Sequence, residues 1–202
     1  MKMHKVLESI YGSPAKVNIL RVLFNSPQPL SGRQVGELSG LTHRGAIQAM
    51  ESLVALGAVK QRKAGNSYQY FLSKGNIFVE KIIVPCIRAE AGLFDDLKKE
   101  ITRHFGKDSL SLVLYGSLAT GKEKKGSDID VMAIVRDKKG KEKVNETAAY
   151  QFPYFNERFN GLLSLNCYTL TEMKSKKDSP LIKAVIKEGI VLWGKPLTEL
   201  LK

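Results

Sequence analysis

The chain has 202 residues, of which 43% are hydrophobic, and it carries a formal net charge of +12 at pH 7. Such a chain can bury a sizeable core in one large or two small domains, which excludes disorder throughout. No apolar run is long enough to span a membrane and no signal peptide is recognised, so we expect a soluble, cytoplasmic protein. The charge predicts a polyanionic partner, namely DNA, RNA or a nucleotide; the alternative is a surface of solvated lysines.

The cysteines and histidines show no spacing typical of a metal centre. Cys86 and Cys167 lie far apart in apolar surroundings, which predicts two buried free thiols rather than a disulfide or a zinc site. The histidines, His4, His43 and His104, are isolated from one another, and we expect each to have a surface or capping role.

The first third of the chain is predicted to begin with three short helices. The Ser-Pro pair at 13–14 is a strong helix start, because the hydroxyl caps free backbone N–H groups and proline suits the first turn. Pro27 ends this helix and Ser31 caps a second one. Gly40 then allows a tight turn, after which Thr42 caps the third helix.

A β-hairpin is predicted next, because residues 58–63 and 67–72 flank Gly65-Asn66, a pair typical of a hairpin turn. This order of elements is that of a winged helix-turn-helix domain, and residues 14–73 resemble prokaryotic winged-helix transcription regulators. In such domains the third helix enters the major groove and the hairpin touches the DNA backbone or minor groove. The resemblance implies double-stranded DNA as a partner, contacted by polar side chains of the third helix and the wing tip: Thr42, His43, Arg44, Gln48, Lys60, Arg62 and Lys63.

The distribution of charge agrees with this interpretation. Residues 1–74 hold ten Lys or Arg and three Asp or Glu, a local charge of +7, whereas residues 75–202 hold twenty-two and seventeen, a charge of +5. The excess therefore lies where DNA contact is expected. The alternative is a winged helix that contacts protein and exposes a solvated basic face.

Residues 74–105 have the apolar spacing of a helical connector. Pro85 should kink or divide this helix near Val84, since proline lacks the backbone N–H and clashes with the preceding turn. The apolar stripe could pair with that of a second copy, which predicts a homodimer suited to a two-fold symmetric operator. The alternative is that the stripe packs on the domains of its own chain.

The segment 110–135 carries the chemistry expected of the C-terminal half. Two apolar runs, 110–115 and 129–135, have the length and composition of buried strands. Because side chains alternate along a strand, Asp128 and Asp130 should point to the same side. Two carboxylates there require a cation between them, and hard oxygen ligands at this spacing suit Mg²⁺.

Gly116 and Ser117, at the end of the first run, predict a phosphate site. Gly116 has no Cβ, so a phosphate can approach the backbone, and Ser117 can donate a hydrogen bond to it. A helix starting at Ser117 would add free N–H groups that favour an anion. Metal and triphosphate could then meet at the ends of neighbouring strands; the alternative is a strand–turn–strand unit with two solvated aspartates.

This apolar strand, Gly-Ser, nine-residue spacer and Ser-Asp-Ile-Asp resemble the signature of the polymerase-β-type nucleotidyltransferase superfamily. The segment GSLATG at 116–121 is similar to the Gly-Ser-x-Ala-Arg-Gly of minimal nucleotidyltransferases, with Thr120 where those proteins usually have arginine. The resemblance implies a nucleoside triphosphate as substrate or ligand and Mg²⁺, or Mn²⁺, as cofactor. It assigns metal binding and catalysis to Asp128 and Asp130, and nucleotide binding to Gly116, Ser117 and Ser127.

The remaining segments are predicted as a helix over 141–159 interrupted by Pro153, a strand over 162–170, a helix over 180–188 and a short strand over 190–193. In the superfamily the strand corresponding to 162–170 usually supplies a third carboxylate, which completes the metal site and deprotonates the acceptor. This chain has no Asp or Glu there.

Ser164 and Asn166 are the polar residues on one face of that strand, and either could occupy the third carboxylate's position. The nearest acid, Glu172, lies beyond the strand. Asparagine cannot act as a base at pH 7, and loss of a base removes a contribution of about 10²–10⁴ to the rate. Efficient catalysis is therefore not expected.

We predict an α+β protein with a winged helix-turn-helix domain over residues 1–74 and a helical connector over 75–106. Residues 107–202 are predicted to form a nucleotidyltransferase-like mixed β-sheet flanked by helices. The first functional hypothesis is a DNA-binding transcriptional regulator whose second domain binds nucleotide and metal with weak or no turnover. The alternative is an active metal-dependent nucleotidyltransferase that transfers a nucleoside monophosphate to an unknown hydroxyl acceptor.

Overall fold

The computed structural model of the protein describes residues 4–202, which divide into two compact units between Gly92 and Leu93. The N-terminal unit is a winged helix-turn-helix with a three-stranded antiparallel sheet in the order β1-β3-β2. In chain order its elements are α1 (Val6–Tyr11), α2 (Pro14–Asn25), β1 (Leu30–Ser31), α3 (Gly32–Ser39), α4 (His43–Ala55), β2 (Val59–Ala64) and β3 (Ser67–Leu72).

The helix starts predicted in this unit are confirmed by their capping bonds. The Ser13 side chain accepts a hydrogen bond from the Lys16 N–H at the start of α2. Ser31 forms a capping box with Gln34 at the start of α3, so that each side chain satisfies a backbone N–H of the other residue. Gly40 takes a left-handed backbone conformation (φ 67°) between α3 and α4, as the predicted tight turn requires.

A buried core holds the helices of this unit against its sheet. Met50 and Leu53 of α4 are completely buried, and Ala46 on the same helix adds to this face. Two more apolar residues of α4, Ile47 and Val54, are partly buried and pack against the core. The core is continued by α2 and α3 through Ile19, Leu20, Leu23 and Val35.

The connector contains a π-helical turn, Val79–Ile83, followed by α5 (Val84–Phe105). The Val84 N–H donates to the Val79 carbonyl, which is the wider spacing of a π-helix. Pro85 follows at once, so the interruption predicted there takes the form of this turn. Cys86 is exposed on α5, and its prediction as a buried thiol is wrong, whereas Cys167 is buried as expected.

The C-terminal unit, Leu93–Lys202, is built on a four-stranded mixed sheet in the order β6-β5-β4-β7. Strand β5 pairs with β4 in antiparallel and with β6 in parallel orientation. After the second half of α5 and a 3₁₀ turn, Gly106–Asp108, the elements are β4 (Ser111–Tyr115), α6 (Gly116–Ala119), β5 (Ile129–Val135), α7 (Lys138–Phe159), β6 (Leu163–Thr169), α8 (Leu170–Ser175), α9 (Pro180–Glu188), β7 (Ile190–Gly194) and α10 (Leu197–Leu200).

Alternating residues of the central strands face two separate cores. Leu112, Leu114 and Val131 pack on one side of the sheet with α5 and α7. Val113 and Met132 pack on the other side with α8, α9 and α10. The sheet is therefore covered on both faces, which explains why β4 and β5 are nearly continuous apolar runs.

Helix α7 departs from its prediction at two points. It begins at Lys138 rather than at residue 141, because the Asp137 side chain accepts a hydrogen bond from the Gly140 N–H and caps the helix. Pro153 lies inside this helix without dividing it. His104 also differs from expectation, since it is partly buried with its ring 5.6 Å from that of Tyr154. In residues 4–202, no helix is both long and apolar enough to cross a membrane.

Candidate functional site

Two carboxylates lie at the start of β5. Asp128 immediately precedes the strand and is exposed, whereas Asp130 is its second residue and is partly buried. Burial raises the pKa of the Asp130 carboxyl above its ordinary value, a hydrogen bond from Ser164 opposes this rise, and repulsion by Asp128 adds to it. The two carboxylates are therefore near enough to interact, and a cation between them would relieve both the burial and the repulsion.

Gly116 lies at the turn from β4 into α6, beside Asp130. Its φ of 76° is in the left-handed region, and a Cβ at this position would overlap Asp130 Oδ2. The residue must therefore be glycine for two independent reasons, its backbone conformation and the close approach of the carboxylate. The sequence interpretation invoked only a phosphate at this position; the second demand comes from Asp130.

Ser164 of β6 is the residue paired with Asp130. The parallel register places Asp130 opposite Ser164 and Met132 opposite Asn166. The Ser164 hydroxyl is close enough to lower the pKa of the Asp130 carboxyl by hydrogen bonding, against the effect of burial. The register therefore makes the neutral hydroxyl of Ser164, and not the Asn166 amide, the side chain paired with Asp130.

Asn166, two residues further along β6, has a different partner. Its Nδ2 donates to the Tyr115 hydroxyl over 2.6 Å. Burial raises the pKa of the Tyr115 phenol, the bond from Asn166 opposes the rise, and the charge of Asp130 adds to it. Tyr115 is therefore protonated at neutral pH and cannot remove a proton from an acceptor.

Glu172 is held at the opposite end of β6. It belongs to the capping box of α8, where its carboxylate accepts from the Thr169 N–H, and both of its oxygens bond the Lys141 ammonium at 2.7 and 2.9 Å. Thr169 is five residues beyond Ser164, or about 16 Å along the strand. The hydrogen bond from Lys141 leads the causes that lower the pKa of Glu172. The nearest acid in the sequence is thus occupied elsewhere.

The two carboxylates, Asp128 and Asp130, fit a metal ion that also binds the substrate, but they do not fit a metal centre built from protein side chains alone. Among residues 4–202, no group of three or more His, Cys, Asp or Glu side chains is placed to hold a metal ion. Two carboxylates do suffice for Mg²⁺ when the substrate's phosphates and water supply the remaining oxygens. The site therefore fits a metal that arrives with a triphosphate, and it does not fit a closed two-metal centre made by protein alone.

A basic loop, residues 122–125, connects the two halves of the site. The Lys122 N–H donates to the Ser117 carbonyl, and the Lys124 N–H donates to Ser127 Oγ, each over 2.9 Å. The Thr120 hydroxyl donates hydrogen bonds to carbonyls of the short helix α6 and brings no positive charge to the site. The loop's lysines are exposed beside the residues predicted to bind phosphate.

The side chains predicted to contact DNA are all exposed in the N-terminal unit. His43, Arg44 and Gln48 lie on α4. Thr42 caps that helix, and its Oγ1 accepts a hydrogen bond from the Gly45 N–H. Because α4 presents these polar residues on the side opposite its buried face, its exposed surface has the composition of a recognition helix.

The three basic residues of the hairpin are not all at its tip, which is a correction to the predicted wing. Lys63 is one residue from the Ala64–Ser67 pair that closes the turn, whereas Lys60 pairs with Phe71 at the base of the hairpin. Strand alternation also places Lys60 and Arg62 on one face and Lys63 on the other. Sequence reasoning missed this split, although the alternation was readable in the sequence.

Comparison with known proteins finds a likeness for the C-terminal unit. Residues 95–192 match the family model described as a nucleotidyltransferase domain. No curated protein matches the chain. A solved toxin–antitoxin structure with AMP-PNP is 16% identical, with a TM-score of 0.38 over 52% of this chain and 80% of that chain.

A second solved structure, a MarR-family transcriptional regulator from Silicibacter pomeroyi, is 18% identical, with a TM-score of 0.36 over 49% of this chain and 77% of that chain. At these TM-scores neither structural likeness carries an argument about function.

Proposed function

We propose that the protein is a DNA-binding transcription regulator whose nucleotidyltransferase-type domain binds a metal–nucleotide complex and turns it over weakly or not at all. The observation that carries this proposal is the residue next to Asp130. Ser164, a neutral hydroxyl, is paired with Asp130 across the two strands, and we assign it to the position at which the resemblance implies a third carboxylate. The two aspartates and the glycine beside Asp130 are present.

In the nucleotide half of the proposal, Asp128 and Asp130 hold one Mg²⁺, or Mn²⁺, that arrives with a nucleoside triphosphate. When bound, the ion supplies neutralisation of phosphate charge. Ser117 and Ser127 contribute polar contacts to the phosphates, and the lysines of the 122–125 loop supply positive charge beside them. Gly116 keeps the Asp130 carboxylate close to the backbone of the phosphate site.

Weak turnover is expected because β6 offers no carboxylate that could act as a base. The acceptor hydroxyl must lose its proton as its oxygen bonds the α-phosphorus and pyrophosphate leaves. The Tyr115 phenol has a raised pKa, and Glu172 is bonded to Lys141 at the far end of β6. Neither group can take that proton, which favours a binding function over catalysis.

The nucleotide half is tested with a fluorescent ATP analogue, titrated in Mg²⁺ and in EDTA. Binding should require Mg²⁺ and be lost in Asp130→Ala. The matched control is Asp178→Ala, since Asp178 is an exposed carboxylate 3.6 Å from Lys183 and outside the site. Equal binding by Asp130→Ala and wild type would refute this half of the proposal.

The catalytic half is tested by restoring the missing acid. Ser164→Asp should raise Mg²⁺-dependent label transfer from nucleoside triphosphates to acceptors in a cell extract about tenfold or more. Asn166→Asp, which adds the same charge one step along the same face, is the control. Strong transfer by the wild-type protein, abolished in Asp128→Ala and in Asp130→Ala, would instead establish the second candidate function.

That second candidate is an active nucleotidyltransferase targeted to its acceptor by the N-terminal unit. The observation that favours it is the pair Asp128 and Asp130, whose charges repel each other, beside a glycine that could not be replaced without displacing Asp130. The label-transfer experiment separates the two candidates directly.

The DNA half of the proposal rests on exposure and charge. Arg44 and Gln48 can read base edges from the major groove, and Lys63 at the wing can contact phosphate. We further propose that the protein acts as a homodimer, so that two α4 helices address the half-sites of one operator. Binding to the DNA upstream of its own coding sequence, measured against salt, should weaken steeply as salt rises. A flat salt response would contradict DNA recognition.

A further inference from the structure

The N-terminal unit contains a groove that the DNA-binding proposal does not use. It has a volume of about 1130 Å³, enough for a small organic molecule. The groove is bordered by the end of α2 and the 25–29 loop, by the base of the β2–β3 hairpin and by the start of the connector. All of these segments belong to the N-terminal unit.

The lining of the groove includes several apolar side chains, one of which is an aromatic ring outside the hydrophobic core. Phe24 and Val84 line the groove and also pack against the hydrophobic core. Phe71 is partly buried and lines the groove, but it belongs to none of the core clusters formed by the described residues. A partly buried aromatic side chain outside the core is available to contact an apolar ligand.

The rim of the groove carries positive charges that are not paired with carboxylates. Lys60, Lys74 and Arg88 line it, and all three are exposed. Its acidic lining residue is Glu80, which is already paired with Lys81 at 2.8 Å. Within residues 4–202, none of the three cations at the rim has a carboxylate in ion-pair range. The lining thus combines apolar side chains with unpaired positive charge.

We propose that this groove binds a small apolar molecule that carries one anionic head group. The apolar body lies against Phe71 and Phe24, and the head group lies at Lys60 and Arg88. Lys60 is suited to this role because it is the cross-strand neighbour of Phe71, so the charge and the ring share one face of the hairpin. In this assignment Lys60 serves the groove and not the DNA.

The proposal is tested on the full-length protein with 8-anilinonaphthalene-1-sulfonate, which has an aromatic body and one sulfonate. N-phenyl-1-naphthylamine, the same body without the charge, is the matched probe. Wild type should bind the sulfonate saturably at one site. Arg88→Ala and Lys60→Ala should each weaken sulfonate binding about tenfold and leave the neutral probe unchanged. Phe71→Ser should weaken both probes.

The control variant is Arg33→Ala, since Arg33 is an exposed arginine of the same unit outside the groove and should alter neither titration. Sulfonate binding by Lys60→Ala and Arg88→Ala that equals wild type would overturn the proposal. It would also be overturned if sulfonate binding disappeared as protein concentration rose in step with dimer formation in sedimentation, because a second copy would then be the occupant of the groove.

Discussion

In the N-terminal unit, the polar side chains proposed to contact DNA project from α4 and the hairpin into solvent. In the C-terminal unit, Asp130 is partly buried at the start of β5, with Gly116 on one side and Ser164 on the other. The first arrangement is an exposed set of separate contacts, each adding its own charge. In the second, the side chains are in such close contact that an added atom at Gly116 would displace the Asp130 carboxylate. Substitutions should therefore act by degrees in the first unit and by loss of the whole site in the second.

The largest effect is expected at Gly116, where the geometry is tightest. Gly116→Ala would place a Cβ on the Asp130 carboxylate, and we expect the affinity for a Mg²⁺-bound ATP analogue to fall about a hundredfold. The control is Gly121→Ala. Gly121 has a similar φ of 66°, but a Cβ there meets nothing within 4 Å.

Both of these substitutions strain the backbone, and each should lower the free energy of unfolding by about 1–2 kcal/mol. Only Gly116→Ala should show the hundredfold loss of nucleotide affinity, as measured by fluorescence titration at a temperature where both variants are folded. Equal loss of binding in the two variants would mean that general destabilisation, and not the position of Asp130, explains the effect. The contrast drawn between the two units would then fail on its C-terminal side.

The same contrast explains what could be predicted from the sequence. Local hydrogen bonds determine where helices begin, so Ser31 and Thr42 were recognisable as caps without knowledge of the fold. The prediction that Asp128 and Asp130 share one side also rests on a local pattern, the alternation along a strand, although β5 begins only at Ile129. Asp137, the cap of α7, carried an equally readable signal that was overlooked.

The identity of the residue beside Asp130 was not predictable. Asp130 and Ser164 are 34 positions apart, and their pairing is set by the parallel register of β5 with β6. That register depends on how α7, which connects the two strands, packs on the sheet, and no local pattern encodes this packing. The part of the candidate site that lies on β5 was thus predictable, whereas the part that depends on the alignment of β6 with β5 was not.

An intermediate effect is expected on the DNA side, at Arg44. Arg44→Ala removes one exposed cation from α4 and should weaken binding to the upstream DNA about tenfold, with the slope of log affinity against log salt reduced by about 1. Arg33→Ala is the matched control, because Arg33 is an exposed arginine on α3 that is paired with Glu37 at 2.8 Å. Complete loss of binding in Arg44→Ala, or an equal loss in Arg33→Ala, would break the picture of separate, additive contacts.

The smallest expected effect is on folding stability and arises from the free energy needed to keep the Asp130 carboxyl ionised in the folded protein. The pKa of Asp130 is raised in the folded protein, chiefly by burial. The protonated carboxyl therefore favours the folded state, and this contribution to the free energy of unfolding is lost as pH rises through the raised pKa. Asp130→Asn cannot ionise. In EDTA it should therefore melt at the same temperature as wild type in acid, and about 1–3 °C higher at pH 7.

Adding Mg²⁺ with a nucleotide should reverse this difference, because only the wild-type carboxylate gains a cation, and binding to the folded state raises the melting temperature. Asp178→Asn, at an exposed carboxylate, should show neither the pH dependence nor the reversal. If Asp130→Asn were instead less stable than wild type at pH 7 in EDTA, Asp130 would be stabilised by the protein alone. That result would contradict the proposed site, because a carboxylate that is already stabilised by the protein gives no preference for a metal-bound triphosphate.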